Sequence, residues 1–129
     1  QNQWNDEIRD YVHRGTEFFL VHHVYQSSHD PSKLLQHWVD KLSFPVFVYS
    51  DFLDISDTLL GLGVRDKRMM EAIDLLRSKQ KPNGRWVLER PVSNMHVTLG
   101  TKGKENKWIT YRALHTLKRW GTTVNYQRP

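Results

Sequence analysis

The sequence predicts an all-α fold of antiparallel helical hairpins, and three observations lead there. Apolar residues recur at helical spacing in four stretches, Pro and Gly clusters separate those stretches, and two kinds of helix alternate along the chain. The alternation is a weak internal repeat. Arg14-Gly15-x3-Phe19-x3-His23 is answered 57 residues later by Glu71-Ala72-x3-Leu76-x3-Gln80. Ile55-x3-Leu59-x2-Leu62-Gly63 returns 58 residues later as Ala113-x3-Leu117-x2-Trp120-Gly121. A fixed period of this size marks helical-hairpin arrays, in which each unit covers its apolar face with its neighbours.

Taken in order, the first helix is expected over residues 6–25, where Ile8, Tyr11, Val12, Phe18, Phe19, Val21, His22 and Tyr25 supply a packing side and Gly15 weakens the middle. Ser27-Ser28-His29-Asp30-Pro31 stops it, and Pro31 with Ser32 opens a short helical turn through Leu34 and Leu35. Phe44-Pro45 is the next boundary, because the residue before Pro is pushed out of the helical region. A second helix starts at Val46 or Tyr49 and ends at Leu62, with Gly61-x-Gly63 as a left-handed cap. The third spans residues 66–80 and meets Pro82-Asn83-Gly84. Residues 86–99 carry Val87, Val92, Val97 and Thr98 interrupted by Pro91, the pattern of an extended, irregular excursion or a β-hairpin. After a polar loop, a last helix over 107–120 stops at Gly121, and residues 122–129 are expected to fray.

Bulk composition bounds the rest. The 129 residues suffice for one modest domain, are too few for two, and combine 38% apolar with 26% charged residues, which suits a folded chain. No apolar run approaches the roughly 18 residues of a membrane span. The start Gln1-Asn2-Gln3-Trp4 has neither the basic opening nor the apolar core of a secretory leader. Lacking an initiator Met, it marks a processed chain or a piece of a longer one. The absence of Cys removes disulfides, thiolate zinc sites and Cys nucleophiles, and fits a cytoplasmic location. The net charge of +5 divides unevenly: residues 1–76 hold 7 Lys/Arg against 12 Asp/Glu, and residues 77–129 hold 12 against 2. Complementary halves of one array explain that division, as do head-to-tail contacts between copies. The cations are scattered, which argues against nucleic acid as a partner.

The stretch Ala72-x3-Leu76-x3-Gln80-x3-Gly84-x-Trp86 resembles the Gln-Trp repeat of the terpenoid cyclase and protein prenyltransferase superfamily, whose members form α/α toroids of inner and outer helices. Glu71 departs from the pattern, which usually begins with Lys or Arg. The flanking segments 44–63, 78–86 and 107–119 are similar to the last part of prokaryotic squalene-cyclase-like members. The resemblance implies that residues 1–129 are one toroid fragment of about two hairpins, with 6–25 and 66–80 as outer helices and 49–62 and 107–120 as inner ones. Gly84 lets the chain turn after the helix, so Gln80 can tie to backbone beyond it and lie beneath Trp86. Two hairpins are a wedge of a ring, so apolar flanks are expected to be covered by the missing part or by another copy.

The chemistry implied by that resemblance is incomplete. Cyclases of the superfamily protonate substrate with Asp-x-Asp-Asp, which is absent. The nearest feature, Asp51-x2-Asp54-x2-Asp57, lays three carboxylates along one strip of the second helix. Asp51 and Asp54 are therefore the catalytic candidates; the alternative is a solvated strip with Asp51 at the helix start, where the macrodipole favours it. Prenyltransferase zinc needs Cys, and of His22 and His23, about 100° apart on a helix, only one could join His29 and Asp51. No metal or cofactor is expected. Trp4, Trp38, Trp108, Trp120, Phe47, Tyr49 and Tyr111 are core candidates, of which Tyr49, Trp108 and Tyr111 are the choices for an apolar, isoprenoid-like ligand. No Gly-x-Ser-x-Gly elbow or phosphate-binding Gly-x4-Gly-Lys-Ser/Thr loop occurs. Two function classes follow: a partial toroid domain binding an apolar ligand, and a non-catalytic helical-repeat scaffold for protein interaction or self-association.

Overall fold

Short polar side chains decide where the helices begin. Asn5, Asp51 and Asn106 each accept a hydrogen bond from a backbone N–H of the first helical turn, at 2.9, 2.8 and 3.0–3.1 Å, and Asp66 does the same for Arg68 N at 2.9 Å. Each satisfies a donor that a helix start otherwise leaves unpaired. The computed structural model describes residues 4–47, 49–93 and 95–121. Among these it contains α1 (Asp6–Val21), α2 (Phe52–Gly61), α3 (Met70–Ser78), α4 (Lys107–Trp120), and two-residue strands β1 (Ser43–Phe44) and β2 (Arg90–Pro91). The chain is mostly helical, with one small parallel sheet.

The second helix is the hub of the packing. α2 packs on α4 and on α3, while α1 leans on the 3-10 turn Lys67–Met69 that leads into α3. The core lies between α2, α3, α4 and the extended segments. Phe52 and Leu53 from α2, Ile73 and Leu76 from α3, Ile109 from α4, and Leu42, Trp86 and Leu88 from the connections are all shut away from solvent. α1 contributes one buried residue, Leu20.

Several boundaries differ from the sequence reading, each for a tertiary reason. α1 ends at Val21 rather than at 25, because His23 and Val24 take left-handed backbone (φ 46° and 74°) that turns the Val24 side chain into the core. For a β-branched residue that conformation is strained, and complete burial offsets the cost. The expected helical turn at Leu34 and Leu35 is instead an antiparallel bridge between Gln26 and Leu34, closed by Ser32 N donating to Asp30 Oδ1 at 3.1 Å. The second helix starts at Phe52, three residues later than Tyr49, because the Asp51 cap lies there. The third is split into the 3-10 turn and α3.

Of the two readings for 86–99, the described residues form the irregular excursion and not the β-hairpin. Arg90–Pro91 pairs in parallel with Ser43–Phe44, and Leu42 O accepts from both Glu89 N and Arg90 N at 2.9 and 3.0 Å. On its other side Leu88 exchanges bonds with Gly103 and Lys104. Pro91 has no N–H to offer a hairpin partner, so the segment is stitched between two distant strands of chain. The tail expected to fray, 122–129, lies outside the described residues.

Candidate functional site

The acidic strip of α2 is spent on the basic strip of α4. Arg112 Nη2 donates to Asp54 Oδ1 at 3.0 Å, and Asp57 Oδ1 accepts from Thr116 Oγ1 at 3.2 Å and Arg119 Nη1 at 3.4 Å, with His115 Nδ1 at 3.5 Å. Asp54 and Arg112 are half-buried, so this pair is less screened than an ordinary surface ion pair. Asp54 and Arg112 are 58 residues apart, as are Asp57 and His115, the same offset that relates the repeat. The charge division between the halves is thus partly cancelled inside the molecule.

Asp51 is only 1% exposed and works as a joint. One oxygen caps α2 through Asp54 N, and the other accepts from Ser43 N at 2.9 Å, which ties β1 to the helix. Burial pushes its carboxyl up to about 6, against the pull of those two N–H donors and of Arg112. An acid that titrates near neutrality has a useful pKa, but both oxygens already hold backbone. Asp51 and Asp54 are neighbours in space, then, and each is committed to a structural partner.

Gln80, Gly84 and Trp86 form a clasp at the end of α3. Gln80 Nε2 donates to Gly84 O at 3.1 Å, Gly84 has φ 84°, and the wholly buried Trp86 donates through Nε1 to Leu76 O at 2.8 Å. Trp86 N in turn donates to Thr110 Oγ1 at 3.1 Å, so the clasp also holds α4. A second clasp lies at Asn106, which caps α4 while its Nδ2 donates to Leu99 O at 2.9 Å. Gly100 beside it has φ 149°, and a Cβ there would collide with Asn106 Nδ2.

The aromatic candidates do not share a cavity. Trp108 is exposed and stacks on Phe44, centroids 5.7 Å apart; Tyr111 is exposed and stacks on His115 at 6.0 Å. Tyr49 belongs to a different cluster, with Trp38 at 4.5 Å and the Arg90 guanidinium over both rings at 5.2 and 5.8 Å. Sequence reasoning left Arg90 unused because it is 52 residues from Trp38 and no periodic pattern links them. The Asp54–Arg112 pairing did leave a trace, the 58-residue offset itself.

An apolar groove of about 270 Å³ runs between α1 and α2, lined by Val12, Phe19, Ile55 and Leu59, with Ser50 and Asp54 among its polar atoms. Beside it, α1 presents Ile8, Tyr11, Phe18 and Val21 to solvent at 44, 59, 48 and 45% exposure. On α4 the exposed apolar residues are Trp108, Tyr111 and Leu114. Among the described residues no three His, Asp or Glu side chains gather as a metal-sized cluster, and no helix is long and apolar enough to cross a membrane. No protein-family model matches this chain, and neither does any curated protein or solved structure.

Proposed function

We propose that the chain is a two-hairpin segment of a helical-repeat array of the α/α-toroid kind, resembling terpenoid cyclases and protein prenyltransferases, and that it acts as a non-catalytic scaffold that stacks on another copy of itself. The observation that carries this reading is the bare side of α1. A 16-residue amphipathic helix with one buried residue leaves an apolar seam that water covers at a cost. The packing of successive helices supports the array: α2 lies on both α3 and α4, and α1 lies against the turn into α3.

Charge selects the occupant. α4 has Lys107 and Lys118 outside its internal ion pairs and no acid, whereas α1 opens with Asp6 and Glu7. Laid antiparallel, the start of α1 meets the basic last turn of α4, and both apolar seams are covered in one contact. Such a contact is head-to-tail. Sedimentation across protein concentration tests it: the chain is expected to self-associate, and Phe18→Asp on α1 or Tyr111→Asp on α4 to block chain growth. Mixed together, those two variants each keep one intact face and are expected to form a one-to-one dimer. A wild-type monomer at every concentration would sink the proposal.

The α1–α2 groove favours one second reading, an apolar isoprenoid-like ligand with Asp54 as its polar neighbour. A long-chain isoprenoid alcohol is then expected to raise Tm, and Leu59→Trp, which fills the groove, to abolish that rise; no rise with the wild-type chain excludes the reading.

A further inference from the structure

A cleft of about 470 Å³ opens where the stretch around Trp38 faces the extended segment 87–90 and the loop at Gly103. Its rim carries Lys41, Arg90 and Lys102, with His37 standing edge-on to Trp38 at 4.6 Å. Glu89 is the one acid lining it, and that carboxylate is already engaged: Lys79 Nζ donates to both its oxygens at 2.9 Å and Leu42 N donates to Oε1 at 2.9 Å. Neither Arg90 nor Lys102 has a carboxylate within ion-pair distance among the described residues, and Lys41 meets its neighbour Asp40 at 3.5 Å. Two unpaired cations and a third paired only with its chain neighbour therefore face one space. Elsewhere Arg85, Arg112 and Arg119 are held in internal ion pairs.

We propose that this cleft binds a small phosphorylated ligand carrying a flat ring, of nucleoside-phosphate chemistry. Arg90 is already oriented by lying over Trp38 and Tyr49, and a guanidinium placed on aromatic faces keeps its N–H edge free for a bidentate anion. Lys102 and Lys41 supply point charges for the remaining phosphate oxygens. Trp38, with Val87, gives the flat ring an apolar wall, and the volume lies in the range of small-molecule sites, roughly 300–1,000 Å³. A nucleic-acid strand fits worse. It needs a track of free cations along its backbone, whereas Arg85, Arg112 and Arg119 in the same basic half are held in internal ion pairs.

Calorimetric titration of the full chain with ADP, pyrophosphate and adenosine tests the site. ADP is expected to bind saturably, more tightly than pyrophosphate and far more tightly than adenosine, and to weaken as salt rises. Lys102→Gln lies on an exposed loop with no packing role, so its circular dichroism should match the parent while ADP affinity drops about tenfold, the loss of roughly one charge-assisted contact. Arg90→Gln should lose at least as much. The proposal is overturned if ADP shows no saturable binding at millimolar concentration, if neither variant changes its affinity, or if pyrophosphate or adenosine binds as tightly as ADP.

Discussion

α1 and α4 are helices of similar length, 16 and 14 residues, each begun by an asparagine cap and each amphipathic, yet they belong to the molecule to very different degrees. α4 buries Ile109, Ala113, Thr116 and Leu117, ties to α2 through Asp54 and Asp57, and is clasped at its start by Asn106 and Thr110. α1 buries Leu20 alone, and it is tied to the turn before α3 by the Arg68–Glu17 pair, with the His23–Glu71 pair just past its end. Helical periodicity was equal in the two. What separates them is whether a neighbour exists to receive the apolar side, since packing supplies most of a helix's stability in a protein.

That contrast can be broken most strongly at Trp86, the residue that joins α3 to α4. Trp86→Ala removes a fully buried indole and its bond to Leu76 O, and is expected to cost about 3–5 kcal/mol in urea unfolding. Next come the matched core positions: Ile109→Ala on α4 should cost about 2–5 kcal/mol, whereas Ile8→Ala on α1 should stay within about 0.5 kcal/mol at concentrations too low for association. The two caps sharpen the same difference. Asn106→Ala loses two first-turn bonds and the Leu99 tie, about 2 kcal/mol, while Asn5→Ala on an exposed helix should cost about 0.5 kcal/mol. Native-state hydrogen exchange should show the α1 amides opening far more readily than those of α4.

The remaining effect is in pH. Because Asp51 is raised to about 6, the folded chain keeps a proton that the unfolded chain releases near 4, so stability falls as pH climbs from about 4 to about 6 and stays lower above that. Asp51→Asn should flatten that slope in unfolding midpoints measured across the interval. Asp66 acts oppositely: hydrogen bonds from Arg68 hold it down to about 2, so its contribution is present above about 4 and is lost as pH falls toward 2.

Much of the candidate chemistry was legible only as composition. Asp51, Asp54 and Asp57 stand out as a spaced triplet, but nothing local distinguishes a strip facing a cavity from one facing arginines on another helix. The Trp38–Tyr49–Arg90 cluster depends on Arg90–Pro91 pairing with Ser43–Phe44, a contact across 47 residues that carries no local signal. Gln80, Gly84 and Trp86 were the opposite case, since a clasp at a helix end needs a long amide, a left-handed turn and a large ring at short spacing.

The sequence by itself determined the helices, above all α4, whose cap residue, apolar period and terminal Gly121 with φ 75° lie within 16 consecutive residues. Local backbone preference and side-chain period act over a few turns, so they can be read directly. Tertiary structure alone decided where α1 stops, which partner the segment at Arg90 takes, and which carboxylates are buried. Those outcomes depend on where distant apolar surface is removed from water: Val24 leaves the helix because its burial outweighs the strain of a left-handed residue.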